Sequence, residues 1–167
     1  MDFASDLSAV VREVEHHVAA AGWDQPTRLF AIVPTAAVLA ADPTLSLSSD
    51  LALTSIEQEL EEVNTSLDDL LGHIAWPDDV VGAIVVVERI VLPPDASEQL
   101  PDDDDEHLMA TVAQHPDRRD VRMVSAVLRS GHNMNALRYR LHDEPDSVAI
   151  AADLVPQLND ALLATFA

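Results

Sequence analysis

The stretch from Val80 to Leu92 constrains the fold more than any other part of the sequence. It reads VVGAIVVVERIVL, so both of its alternating faces are almost entirely apolar. This pattern is typical of a central strand that is covered on both sides. The chain therefore needs further strands beside this one and other elements packed against both faces of the sheet. Pro93 and Pro94 follow at once and end the strand.

The rest of the chain alternates between helical and extended patterns. Helices are predicted at residues 6–21, 35–41, 55–75, 107–113 and 154–166. Strands are predicted at residues 27–33, 80–92, 120–128 and 134–141, and residues 45–53 also look extended. Asp153 is the expected N-cap of the last helix, with Pro156 in its first turn. We find no repeat and no long linker, which predicts one α+β domain over residues 1–167. Its sheet is expected to be mostly antiparallel, with about four strands flanked by helices.

The composition excludes several kinds of chemistry. There is no cysteine, which rules out thiol nucleophiles, thiolate metal sites and disulfides. There is no lysine either, so Schiff-base catalysis and a P-loop lysine are excluded. Four glycines in 167 residues leave no glycine-rich phosphate loop. We expect no cofactor, and we favour a protein that is not an enzyme while leaving that question open.

The charge balance is strongly acidic, with 30 acids against nine arginines and a formal net charge of -21. Such a charge repels phosphate backbones and disfavours nucleic-acid binding. No stretch approaches the roughly 20 apolar residues that cross a bilayer. The first residues also lack the basic region of a secretory signal. We therefore expect a cytoplasmic protein that binds neither membranes nor nucleic acid.

The arginines are concentrated in one segment. Residues 118–140 hold six of the nine arginines and one acid, a charge of +5. The other three arginines stand with 29 acids, a charge of -26. The predicted β-hairpin of residues 120–141 is therefore a basic island on an acidic protein.

The hairpin pattern suggests how these arginines are arranged. A turn centred on Gly131 and His132 would place Ser125 opposite Arg138. Because side chains alternate along a strand, Arg138 and Arg140 would project from the same face, away from the core.

Two interpretations of this island remain open. Arg122, Arg138 and Arg140 could bind a phosphate or carboxylate, because guanidinium groups match such anions bidentately. Alternatively, they pair with the chain's own acids. Glu88 is a carboxylate in the most apolar strand, where burial would be costly without a partner. It could line a ligand cleft, form an ion pair with a hairpin arginine, or lie exposed near the strand end.

Metal binding is not expected. The acidic run 102–106 lacks the turn glycine and the final glutamate of an EF-hand, and acids at a helix start fit a capping role. Glu13, His16 and His17 have ligand-like spacing, but adjacent histidines on a helix point about 100° apart. The pair His142 and Asp143 has no further partners in sequence. There is also no GxSxG motif for a serine nucleophile.

Several phrases occur together in a recognisable order. They are IEQE from Ile56, WPxxVxGA from Trp76 to Ala83, ER at residues 88–89, LP at residues 92–93, HPxRxDVR from His115, VLRxG from Val127, ALRxRxHD from Ala136, and LVP from Leu154. In this order, over roughly residues 54–163, they resemble a family of uncharacterised actinobacterial proteins named after a Propionibacterium locus. The resemblance implies a bacterial cytosolic single domain and no particular chemistry.

Two functions of different classes follow from these observations. The first is a non-enzymatic adaptor with a chaperone-like character, forming a homodimer or binding a protein partner. The second is a small-molecule binding domain or enzyme that holds an anionic ligand at the arginine-rich hairpin.

Overall fold

The computed structural model describes residues 4–42, 44, 52–59, 67–91, 119–144 and 147–167. The strands in these ranges are β1 (Arg28–Pro34), β2 (Leu53–Gln58), β3 (Gly82–Val91), β4 (Arg119–Leu128), β5 (Asn133–Tyr139) and β6 (Ala149–Ala151). The helices are α1 (Ala4–Ala19), α2 (Thr35–Ala41), α3 (Leu67–Gly72) and α4 (Pro156–Leu163), and 3-10 turns lie at Arg140–His142 and Ala164–Phe166. The strands form one antiparallel sheet in the order β2-β1-β3-β4-β5-β6. The predicted α+β class is confirmed, with six strands instead of about four.

Strand β3 occupies the central position that its sequence predicted. It pairs with β1 on one side and with β4 on the other. Ile84 and Val86 project towards the face covered by α1, and Val85 and Val87 project towards the face covered by α3 and α4. All four side chains are buried, which explains why both faces of this strand are apolar.

The two faces of the sheet carry separate apolar cores. The predicted stripe of α1 is fully buried against the first face, and its members are Leu7, Val10, Val11, Val14 and Val18. On the opposite face, Leu71 of α3 and Leu162 of α4 pack against β3 and β4. No helix in these ranges is long and apolar enough to cross a membrane.

The predicted helix at residues 55–75 is wrong in its first part. Residues 53–58 form strand β2, which pairs with β1, and the helical portion within the described residues is limited to residues 67–72. The prediction rested on an apolar helical spacing that begins at Ile56. In the structure the Ile56 side chain is 43% exposed, so it does not belong to a buried helix face. Pairing with the buried strand β1 outweighs that local pattern. Residues 45–51, the acidic run and the predicted helix at 107–113 lie outside the described residues.

The predicted hairpin forms, but its register differs by three residues. Ser125 lies opposite Asn135 instead of Arg138, and Arg138 lies opposite Arg122. The Leu128 amide donates to the carbonyl oxygen of His132 at 2.9 Å, so the turn consists of residues 129–131. Because side chains alternate between the two faces of a sheet, a shift by an odd number of residues places Arg138 on the face opposite to the predicted one. Arg138 therefore shares the α1 face with Arg122 and is buried.

The start of α4 also differs from the prediction. Asp153 adopts a positive φ of 60° and its carboxylate accepts from Asn133, so it is not the N-cap. Val155 holds the N-cap position, and Pro156 follows it in the first turn as predicted. The amides of Leu154 and Val155 instead donate to the side-chain oxygen of Asn135. Strand β6, which the sequence did not predict, brings this segment beside β5.

Candidate functional site

The loop between α1 and β1 carries Trp23 across one end of the sheet. Gly22 and Asp24, on either side of Trp23, have positive φ angles of 86° and 65°. The Gln25 side chain donates to the carbonyl oxygens of Val18 at 2.8 Å and Gly22 at 2.6 Å. The Gln25 side chain therefore satisfies a carbonyl oxygen at the end of α1 that has no further helical turn to bond to, and it fixes the position of the loop.

Arg122 of β4 lies beneath this loop and is only 1% exposed. Its Nη2 atom donates to the carbonyl oxygen of Gly22 and, at 3.2 Å, to Oε2 of Glu88. Its guanidinium carbon lies 4.4 Å from the centre of the Trp23 ring, within the range of a cation–π contact. The Nε and Nη1 atoms are buried and have no hydrogen-bond partner among the described residues.

Glu88 of β3 links the loop to Arg122. Its Oε1 atom accepts from the Asp24 amide at 2.9 Å, and its Oε2 atom accepts from the Gln25 amide at 3.2 Å. With the Arg122 guanidinium, three donors surround a carboxylate whose side chain is 18% exposed. These bonds compensate the cost of placing a charge in this strand. Of the three alternatives that the sequence left open for Glu88, the structure shows the ion pair with a hairpin arginine, which is Arg122.

Arg138 of β5 lies on the same face and is bound by two acids. Its Nε and Nη2 atoms hold the carboxylate of Glu15 on α1 in a bidentate pair, and both side chains are buried. Its Nη1 atom lies 3.0 Å from Oδ1 of the half-exposed Asp143. The hydrogen bond to Glu15 raises the pKa of Arg138. Burial acts to raise the pKa of Asp143, but the neighbouring Trp23 indole and Arg138 guanidinium outweigh it, and that pKa lies below its usual value.

Arg140 lies one residue beyond β5, at the solvent edge of the same group. It forms a bidentate pair with Asp24, at 3.0 and 3.1 Å, and lies 3.4 Å from Asp120. Its guanidinium carbon is 5.7 Å from the Trp23 ring centre. Hydrogen bonding between the two partners lowers the pKa of Asp24 and raises that of Arg140.

The structure thus brings together all four residues that the sequence singled out. We call Arg122, Arg138, Arg140, Glu88 and Trp23 the arginine cluster. Sequence reasoning did not identify Trp23 or the acids that accept from these arginines. Glu15 stands 123 positions from Arg138, so no local spacing connects them. The surplus of acids in the rest of the chain was the nearest indication in the sequence that these arginines have acceptors within the protein.

The electrostatics of the cluster favour fixed charges over proton transfer. Every resolved pKa shift in the cluster and its partners lowers the pKa of a carboxyl or raises that of a guanidinium. A general acid or base works best with a pKa near the operating pH. These shifts move in the opposite direction and stabilise permanent ion pairs.

Other candidate ligands from the sequence do not converge. Nε2 of His17 lies 3.3 Å from a guanidinium nitrogen of Arg28, which itself pairs with Glu57. Within the part of the chain that the structure describes, no three histidine or acidic side chains are close enough to hold a metal ion.

Comparison with protein-family models gave a match to the PPA1309-like protein family over residues 7–167. The chain belongs to this family, whose name fits a Propionibacterium locus. Searches of the curated proteins and of the solved structures found no match.

Proposed function

We propose that this member of the PPA1309-like protein family is a non-enzymatic interaction protein, a cytosolic adaptor of the chaperone-like kind that works as a homodimer. One observation carries the proposal. The charged side chains that converge in the arginine cluster bind the chain's own carboxylates and backbone, with Glu15 on Arg138 and Asp24 on Arg140. In this account the cluster fastens the loop before β1 and helix α1 to the sheet.

The net charge supports binding to a basic partner. The chain carries -21, and the described arginines of residues 118–140 are largely engaged by intramolecular contacts. Arg129, for example, donates to the carbonyl oxygens of Val80 and Pro77. The acids outside the cluster can then attract a positively charged protein, with an association rate that falls as salt increases.

The dimer has its own test, which is size-exclusion chromatography with light scattering. Ile56 on the outer strand β2 and Leu141 beyond β5 are 43% and 68% exposed, and a second copy could bury them. We expect a mass of twice 18.1 kDa that falls towards one chain in Ile56→Asp or Leu141→Asp. A monomer at every protein concentration would contradict the dimer.

The partner is tested by purifying the chain from cells that express it natively, followed by mass spectrometry of proteins and small molecules. We expect one basic protein in near-stoichiometric amount, released by salt. A co-purified metabolite that the protein converts to a product would overturn the adaptor assignment.

A second candidate function is anion binding at the arginine cluster. It is favoured by the two buried Arg122 nitrogens without a partner among the described residues, since an unmet buried donor costs about 1–3 kcal/mol. A phosphate or carboxylate could accept from them. The test is a thermal-shift screen with phosphorylated and carboxylated metabolites. Stabilisation that disappears in Arg138→Ala and in the half-exposed Arg140→Ala would support this function, and an unchanged shift would reject the site.

A further inference from the structure

An apolar cleft lies on the face of the sheet opposite α1, away from the arginine cluster. Its volume is about 470 Å³, and its lining includes Leu67 of α3, Val87 of β3, Met123 of β4, and Leu158 and Ala161 of α4. Small-molecule sites commonly measure about 300–1,000 Å³ and combine apolar walls with a few polar groups. The cleft is therefore large enough for an organic molecule with a chain of about ten carbons.

Among the described residues that line this cleft, Arg89 carries the positive charge. Arg89 alternates with Glu88 along β3, so it projects to the cleft side while Glu88 projects to the arginine cluster. Within the described ranges, its one hydrogen bond is a long contact of 3.4 Å from Nη1 to the carbonyl oxygen of Glu88. Arg89 is also exposed, which leaves its guanidinium able to bind an anion at the edge of the cleft.

The first turn of α4 adds to the positive character of this edge. Gln157 and Leu158 line the cleft and belong to that turn, whose amides have no acceptor within the helix. The helix dipole places a partial positive charge at the same end.

We propose that this cleft binds a small amphipathic monocarboxylate, with its hydrocarbon chain against Met123 and Leu158 and its carboxylate on Arg89. Both parts of such a ligand are needed. The net charge of -21 repels a free carboxylate that has no apolar contact, and the apolar lining alone does not select a carboxylate over an alcohol. This site is independent of the proposed adaptor role.

The test uses the intact chain labelled with ¹³C at its methionine methyl groups and titrated with decanoate. Met123 lines the cleft, whereas Met134 packs against the core on the α1 face and serves as an internal control. We expect decanoate to shift the Met123 signal in a saturable manner and to leave Met134 unchanged. Acetate should have no effect, and decanol should bind about tenfold more weakly, as expected for loss of a charge-assisted contact.

Two variants complete the test. Arg89→Gln should weaken decanoate binding to the level of decanol, whereas Arg12→Gln, at an exposed arginine on α1, should not change it. Equal binding of decanoate, decanol and decyltrimethylammonium would overturn the proposal, as would unchanged affinity in Arg89→Gln or the absence of a Met123 shift. None of these results alters the light-scattering test of the adaptor, so the two proposals fail separately.

Discussion

Removing one member of the buried pair between Glu15 and Arg138 should destabilise the protein unequally, according to which partner is left. In Glu15→Met, Arg138 keeps its contact with Asp143 at 3.0 Å. In Arg138→Met, the Glu15 carboxylate loses both of the bonds described above while remaining on α1 at 5% exposure. The second change is therefore the more costly.

The expected magnitudes follow from these environments. Glu15→Met removes both hydrogen bonds of the pair, but Arg138 keeps Asp143 as a partner, so we assign to this variant about 1.5–3 kcal/mol, the range for lost hydrogen bonding to a charged group. Leaving a buried charge without its partner costs about 3–5 kcal/mol, which we assign to Arg138→Met. The double variant replaces the pair with two apolar side chains and should lie within about 1.5 kcal/mol of the wild type, because apolar replacements of buried ion pairs are often neutral or stabilising.

Urea denaturation of the four proteins provides the measurement, since the midpoint and slope give the free energy of unfolding. Glu57→Gln is the matched control, because its pair with Arg28 is also bidentate but Glu57 is 42% exposed. It should cost about 0.2–1 kcal/mol. The reasoning is refuted if both single variants at the buried pair cost no more than this control, or if the double variant costs the sum of the two.

Three further predictions concern other parts of the structure. Asn159→Leu removes a buried amide that bonds two other buried polar side chains, and should cost about 1–3 kcal/mol in the same urea assay. Gly82→Ala should lower stability by about 1–3 kcal/mol, because its methyl group would lie 2.5 Å from the backbone oxygen of Val127. Arg140→Gln should raise the pKa of Asp24, measured by NMR titration of its carboxyl carbon. Because Arg140 lowers the pKa of Asp24, the ion pair stabilises the wild type at pH values above the ordinary aspartate pKa. This contribution is lost as the pH falls through the pKa of Asp24 in the folded protein.

The fold class was predictable because its main signals are local. The doubly apolar β3 required a central position, and the stripe of α1 required one buried helix face. The start of β2 was not predictable from its own residues, since Ile56 fits a helical spacing with Leu60. Only the presence of β1 as a neighbour decides between the two conformations.

The charged members of the arginine cluster were predictable from the sequence, but Trp23 and the arrangement of the cluster were not. The charge asymmetry identified the arginines, and the period of the strand placed Glu88 and Arg89 on opposite faces. The hairpin register depended on one turn, and a displacement of three residues moved Arg138 from an exposed face to a buried one. Its acceptor Glu15 comes from the other end of the chain, and only tertiary packing brings the two together.

The central claim is that Arg122, Arg138 and Arg140 are held by the chain's own carboxylates. The most direct measurement is the ¹H–¹⁵N spectrum of the arginine Nε–H groups, with solvent exchange followed before and after addition of inorganic phosphate. We predict slow exchange for Arg138, fast exchange for the exposed Arg12, and no change at Arg138 on adding phosphate. Fast exchange at Arg138, or a saturable shift of its signal with phosphate, would contradict the claim.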